Sequence, residues 1–542
     1  MIWLALTACT GEPPGGHHDQ KRSDPVELSA VRQLARASLD IRGVRPTRDE
    51  VAAVEADPDA LAALVEGFLA DPRFEDQVLA NYQEAFLTRL EDLRFYDYAA
   101  VYDLMDDPDG FVASAGEEPL RIMARIAVDD LPYDLAVTGD FTVIDDRLAG
   151  WFPTDRPADT QGWATARYTD GRPAAGVLAS NGLWWRYPST ASNKQRKRAN
   201  VASKLFVCRD FLKTPVTFDN DVNLLDEEAL NDAIRTNPSC KACHDDLEPI
   251  AAYFWGFDFE YDAGFLLADG LRYHAESERT WEDLGGIPPG WYGAQGTSLA
   301  DLGPQLLRDP DFDPCAVQHV YQHLLRRPLI KGEDDDAITE HTRAFRQGGR
   351  TIRSIWRSVL QDPRYLGVVD DGVTGMPRKV MTPDLLRSAV RDLTGFDWTI
   401  DGATQLDHEL DGVTTLAGGI DGSTVTVPAH EPNSTMLLVQ DQVATGAAAY
   451  AVSREKGLEP SERRLFRDID FTEFPDTDPE AVTTQIVHLY VDVLGRSVAP
   501  DGPEVEALLA LWTEVDAIDG RPETSWKAVL AALLRDPDFV TY

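Results

Sequence analysis

The chain has 542 residues, of which 92 are acidic and 51 basic, giving a formal net charge of -41 with 43% hydrophobic residues. So large an acidic excess argues against nucleic-acid binding and against direct adsorption to anionic lipid, both of which need cationic surface. The length can bury more than one core, so several domains are expected, and no later stretch approaches the roughly 18 apolar residues of a membrane-spanning helix.

At the N-terminus, Leu6-Thr7-Ala8-Cys9 has the apolar run and small residues that precede the lipidated cysteine of a bacterial lipoprotein. Cys9 is therefore expected to carry a lipid anchor. The run is short and no Lys or Arg precedes it, as an ordinary apolar N-terminus would also read. The Gly/Pro-rich stretch to Pro25 suits a tether, with His17-His18-Asp19 read as solvated linker.

A repeat follows. Residues 31–74 give a helix with apolar spacing of three and four, a Gly-Pro break, a second helix and then Asp-Pro-x-aromatic. Residues 317–365 and 486–539 repeat the plan, and LLRDPDF occurs word for word at Leu306–Phe312 and Leu533–Phe539. Asp can cap free amides while Pro suits the first position of the next helix, so each unit reads as a small helical scaffold module. Residues 378–397 predict one amphipathic helix, and the Gly/Thr/Val alternation from Ile400 to Pro428 predicts a short hairpin or loops.

The expected fold is mainly α: several helical modules, a cytochrome-c-like haem-attachment module in the middle, and little β structure. The expected segments are a lipoprotein signal and tether (1–25), a helical module with the first repeat (26–165), the haem-attachment module (166–300), a repeat module (301–370), a helical module with hairpin or loops (371–475) and a C-terminal repeat module (476–542).

The chemistry concentrates at Cys240-Lys241-Ala242-Cys243-His244, the C-x-x-C-H arrangement of covalent haem attachment. With 5 Cys and 10 His in the chain, chance gives this spacing on the order of once in a thousand such sequences. Two thiols three residues apart share one face of a helix, and the next imidazole can lie beneath the iron. The rival is structural zinc held by Cys240, Cys243, His244 and another Cys or His. If Cys9 carries lipid, Cys208 and Cys315 remain as a candidate disulfide, with two buried thiols as the alternative.

The stretches SLDIRGVRPTRDEV with LADPRF, NPSCKACHDDLEPIAAYFWGFD, AGVLASNGLWWRYPSTASNKQRKRAN and LLRSAVRDLTGFDW resemble exported haem-binding proteins of planctomycetes and myxobacteria, in which a C-x-x-C-H module sits among helical domains. The likeness spans most of residues 30–540. Its most specific part is Asn237-Pro238 before the motif and Leu247-Glu248-Pro249 after it, with Glu248 where the family pattern has Asp. The resemblance implies export and one covalent haem c at Cys240, Cys243 and His244; it implies no substrate.

For the sixth iron position, no Met lies between Met123 and Met376. His274 is the nearest candidate distal ligand, while water, an open site, His319, His323 or Met376 remain alternatives. Asp245, Asp246 and Glu248 are near enough to orient His244. Among the basic residues Lys194, Arg196, Lys197, Arg198 and Lys204, Arg196 and Arg198 are candidate contacts for haem propionates, the alternative being a solvated helix face. Trp184, Trp185 and Tyr187 either wall a haem pocket or pack in the core.

No Gly-rich phosphate loop, H-E-x-x-H or G-x-S-x-G motif is present. The favoured reading is a lipid-anchored c-type haem protein in electron transfer at the cell envelope, on its periplasmic or surface side. It would exchange electrons with a redox protein or small molecule and meet the membrane only through its lipid. A haem-dependent redox enzyme such as a peroxidase or oxidase is the alternative, and a zinc-stabilised surface scaffold a third reading.

Overall fold

A computed structural model describes residues 26–90, 107–189, 193–213, 227–257, 273–283, 286–368, 379–408 and 412–542. The expectations placed on Cys9, His17-His18-Asp19 and Met376 lie outside these residues. About 60% of the described residues are helical and 5% are strand. Among the described residues the strands form two-stranded antiparallel pairs, such as Thr142–Ile144 with Ala164–Ala166.

The longer helices of the first part are α1 (Ala30–Arg42), α2 (Arg48–Ala56), α3 (Ala60–Leu69), α4 (Phe74–Phe86), α5 (Pro108–Val128), α6 (Arg196–Val207), α7 (Glu227–Thr236) and α8 (Pro238–Ala251). They continue as α9 (Leu299–Leu306), α10 (Phe312–Leu325), α11 (Asp335–Gln347) and α12 (Ile352–Val359). The last group is α13 (Pro383–Thr394), α14 (Ser434–Glu455), α15 (Pro479–Leu494), α16 (Pro503–Asp519) and α17 (Pro522–Arg535).

The Asp-Pro-x-aromatic signal has one local structure four times over. Asp71, Asp309, Asp362 and Asp536 each accept the amide two residues on, at 2.9, 3.0, 2.7 and 2.8 Å. A short carboxylate closes this turn while the following Pro has no N–H to leave unpaired. The turn drops the next aromatic into the interior: Phe74, Phe312, Tyr365 and Phe539 are all buried. Burying such a ring stabilises by roughly 1.5–3 kcal/mol, so the turn and the ring together fix how each unit folds back.

Two large cores result. The first runs from Leu34 to Tyr365 and the second gathers residues 381–539. Leu39 of α1 belongs to the second core, so the first helix joins both. Next to it the buried Asp40 carboxylate accepts from Lys379 Nζ (2.6 Å), Tyr365 OH (2.8 Å) and Tyr542 OH (2.7 Å). Arg48 adds a paired contact to the buried Asp492 of α15. In the 400–428 stretch a hairpin forms only at Thr399–Ile400 and Ala403–Thr404, while Asp421 Oδ1 gathers the amides of Ser423, Thr424 and Val425 into a loop.

Candidate functional site

Cys240, Cys243 and His244 lie in the first two turns of α8, and the local sequence explains the helix start. Asn237 caps it, accepting the Ser239 amide at 2.9 Å, and Pro238 takes the first helical position. Cys240, His244, Glu248, Ala251, Ala252 and Trp255 recur at spacings of three and four, which puts them on one face as the helix runs into the 3-10 turn Ala252–Phe257. Cys243 sits beside Cys240 on that face. Both thiols are free and half-buried.

His244 is oriented from its own helix. Its Nδ1 lies 2.8 Å from Glu248 Oε1, one turn on, and the same oxygen accepts from Arg196 Nε of α6 at 2.6 Å. Burial pushes the Glu248 carboxyl up, but the His244 hydrogen bond and the Arg196 charge outweigh it and hold the group below its ordinary value. A carboxylate on Nδ1 fixes the tautomer that leaves Nε2 as the ligand atom, and Nε2 has no hydrogen-bond partner among the described residues. Asp245 turns away to Lys241, 2.8 Å distant.

Next to Glu248 is a small open hollow of about 40 Å³, lined by Lys194, Glu248, Ala251, Ala252, Trp255, Trp281 and Ile287. Its walls mix the charged Lys194 and Glu248 with the apolar Ala251, Ala252, Trp255, Trp281 and Ile287. Two features suit a planar group that carries carboxylates: the Lys194 ammonium, and Trp281 Nε1, a buried donor with no hydrogen-bond partner. Lys194 and Gln195 are consecutive non-glycine residues in left-handed conformation, with φ of 49° and 66°. Such a turn persists only where its surroundings impose it.

Arg198 imposes it. This buried side chain donates to Gln195 Oε1 (2.8 Å), Phe257 O (2.6 Å), Tyr187 O (3.2 Å) and Trp184 O (3.3 Å). It therefore ties α6 to the end of the α8 segment and faces inward, where a propionate does not reach. Of the two arginines read as propionate contacts, Arg196 alone borders the site, through Glu248.

The other expected residues separate. Trp184 packs on Phe254 with ring centroids 4.6 Å apart, Trp185 on Phe111 and Phe152, and Tyr187 donates to Phe86 O, so all three are core. His274 donates its backbone N–H to Gly256 O at 2.7 Å, and its Nδ1 lies 3.2 Å from Glu276. Gly256 is twelve residues beyond His244, roughly 20 Å along α and 3-10 rises, too far for the two imidazoles to share one iron in this arrangement. His319 Nε2 is bound to Leu205 O at 2.8 Å, and His323 Nδ1 lies 3.1 Å from Glu84 of α4.

Cys208 and Cys315 form a disulfide with Cα atoms 5.4 Å apart, joining the end of α6 to α10. The one group of three metal-type ligands among the described residues is Cys208, Cys315 and His319, and its two sulfurs are already bonded to each other. Sequence reading missed Trp255 and Trp281 as walls. Trp255 is detectable from its register with His244 and Glu248, whereas Trp281 carries no local signal. No family model, curated protein or solved structure matches the chain. Fold and site together describe a mainly helical protein with a C-x-x-C-H helix whose later turns border a small hollow of mixed polar and apolar lining.

Proposed function

We propose that the chain is an exported c-type haem protein, a cytochrome in the broad sense, that transfers electrons at the cell envelope. The observation that carries this reading is the α8 face itself. Two unbonded thiols one turn apart adjoin an imidazole whose Nδ1 is held by Glu248 and whose Nε2 is left for a metal. Cys240 and Cys243 would form the thioether links and His244 the proximal ligand of one covalent haem in a cytochrome-c-like module. Arg196 sets the charge behind Glu248, while Lys194 and Trp281 offer donors to propionates. When bound, the haem supplies a one-electron centre, and the chain's own residues fix its ligand orientation and exclude water along the Ala251–Trp255 wall.

The structural-zinc reading has weaker support, because the only three-ligand cluster among the described residues omits Cys240, Cys243 and His244. Cys9 as lipid anchor completes the envelope assignment. No helix among the described residues is long and apolar enough to cross a membrane.

A second reading, a redox enzyme acting on a small extracellular molecule, is favoured by the open hollow lined by Glu248, the hydrogen-bond partner of His244, where a small molecule could approach. Expression with cytochrome c maturation machinery in a periplasm tests both. A haem-stained denaturing gel should show covalent haem, lost in Cys240→Ser with Cys243→Ser. A low-spin six-coordinate spectrum supports electron transfer, and a high-spin, ligand-accessible iron supports the enzyme. A colourless product with stoichiometric zinc refutes both haem readings.

A further inference from the structure

A second cluster lies outside the haem-attachment region, in the α11–α12 pair. His341 of α11 places Nδ1 2.8 Å from Ser358 Oγ of α12 and Nε2 2.8 Å from Asp362 Oδ2 in the turn that follows. His341 and Asp362 are 4% and 5% exposed, whereas Ser358 is half-buried and keeps a face to solvent. The hydrogen bonds assign the tautomer: Nε2–H donates to the Asp362 carboxylate, so Nδ1 has the lone pair that accepts the Ser358 hydroxyl proton. Asp362 is kept charged, since the His341 hydrogen bond, the Arg364 amide and the Arg364 guanidinium overcome the upward push of burial.

The repeat supplies an internal control. The residue four places before the turn aspartate is Gly67, Gln305 and Ala532 in the other three copies, and Ser358 only here. In those copies the aspartate finds other partners: Asp71 meets Arg73 and Asp309 meets Arg209 and Trp291. The Asp-Pro turn therefore forms without a serine–histidine pair. Folding of the module does not account for the relay.

We propose that Ser358 is a nucleophile for carboxylic esters, with His341 as its general base and Asp362 as the positioning residue. Ser358 Oγ attacks the ester carbonyl carbon and forms an Oγ–C bond as its proton passes to His341 Nδ1. The ester C–O bond breaks, and the leaving oxygen takes that proton to depart as the alcohol. Water, deprotonated by His341, then adds to the acyl-serine and releases the carboxylic acid with Ser358 restored. No electron changes hands, so the activity is independent of the haem chemistry proposed above.

The test uses the full-length chain and a fluorophosphonate, a serine-reactive phosphonyl donor, with the adduct mapped by mass spectrometry. The expected result is stoichiometric phosphonylation of Ser358, absent in Ser358→Ala. His341→Gln should slow labelling by about 10²–10⁴-fold. Asp362→Asn keeps the capping oxygen, and should lower the maximal labelling rate while leaving the half-saturating probe concentration unchanged. No adduct on Ser358, or labelling of His341→Gln at the wild-type rate, overturns the proposal. Ser358→Ala removes one half-exposed hydroxyl and should fold normally, so labelling that persists at other serines also counts against it.

Discussion

His244 Nδ1 and Glu248 Oε1 lie 2.8 Å apart on successive turns of α8, and Arg196 approaches the same oxygen from α6. A carboxylate acceptor gives the imidazole partial imidazolate character, which favours the oxidised state of an iron bound at Nε2.

Replacing Glu248 with Gln removes the charge but keeps an acceptor. The haem-loaded variant should have a reduction potential raised by tens of millivolts in potentiometric titration. In the haem-free chain, the His244 side-chain nitrogen shifts should move toward a mixture of tautomers. An unchanged potential together with unchanged shifts would show that Glu248 does not govern His244.

The disulfide should matter to stability because of the length of chain it closes. Cys208 and Cys315 are 107 residues apart, and closing a loop of that size restricts the unfolded chain enough to stabilise the fold by about 4–5 kcal/mol in the chain-entropy account. The double variant Cys208→Ser, Cys315→Ser should therefore have a clearly lower urea midpoint than the oxidised protein and match the wild type treated with a dithiol. Equal midpoints for the oxidised and reduced forms would contradict this.

What the sequence revealed depended on how local the cause was. The helices and the four Asp-Pro turns were legible because apolar spacing and a capping carboxylate act within a few residues. Cys208 and Cys315 could be paired by elimination, although not by geometry. Glu248 is one turn from His244 and stood among three candidates; the register of a helix singles it out. Arg196 is 52 residues from Glu248, and only the packing of α6 on α8 brings them together. Arg198 misled because sequence shows a cation and not its direction. His341, Ser358 and Asp362 join elements 17 and 21 residues apart, and no motif announces them.

The Asp536 turn predicts a small, additive stability effect. Asp536→Ala removes the acceptor of the Asp538 amide and should cost about 1 kcal/mol in denaturant unfolding, whereas Asn should restore most of it. Phe539→Ala at the same turn empties a buried ring site and should cost about 3–5 kcal/mol. If Asp536→Ala proves as damaging as Phe539→Ala, the turn is not a simple cap.

At the junction of the cores, burial pushes Lys379 down to about 7, against the pull of Asp40. Lys379→Met leaves the Asp40 carboxylate with Tyr365 and Tyr542 but no cation beside it at 2.6 Å, which should destabilise by about 3–5 kcal/mol. Adding Asp40→Asn removes the stranded charge, so the double variant should recover much of the loss. A double variant whose loss equals the sum of the two single losses would mean that the pair is not coupled.

Glu84 sets a distinct acid limb. Burial pushes its carboxyl up, but Arg326 at 2.6 Å and His323 at 3.1 Å hold it down at about 2. In the unfolded chain a glutamate titrates near 4.3, so between these values the unfolded state binds the extra proton. The contribution of Glu84 is therefore fully present above about pH 4.3 and disappears as pH falls through about 2. Glu84→Gln should be less stable than wild type at neutral pH, and the gap in thermal midpoint should narrow steadily from pH 5 toward pH 2. A gap that stays constant across that window would mean that the Glu84 charge is not what holds α4 to Arg326.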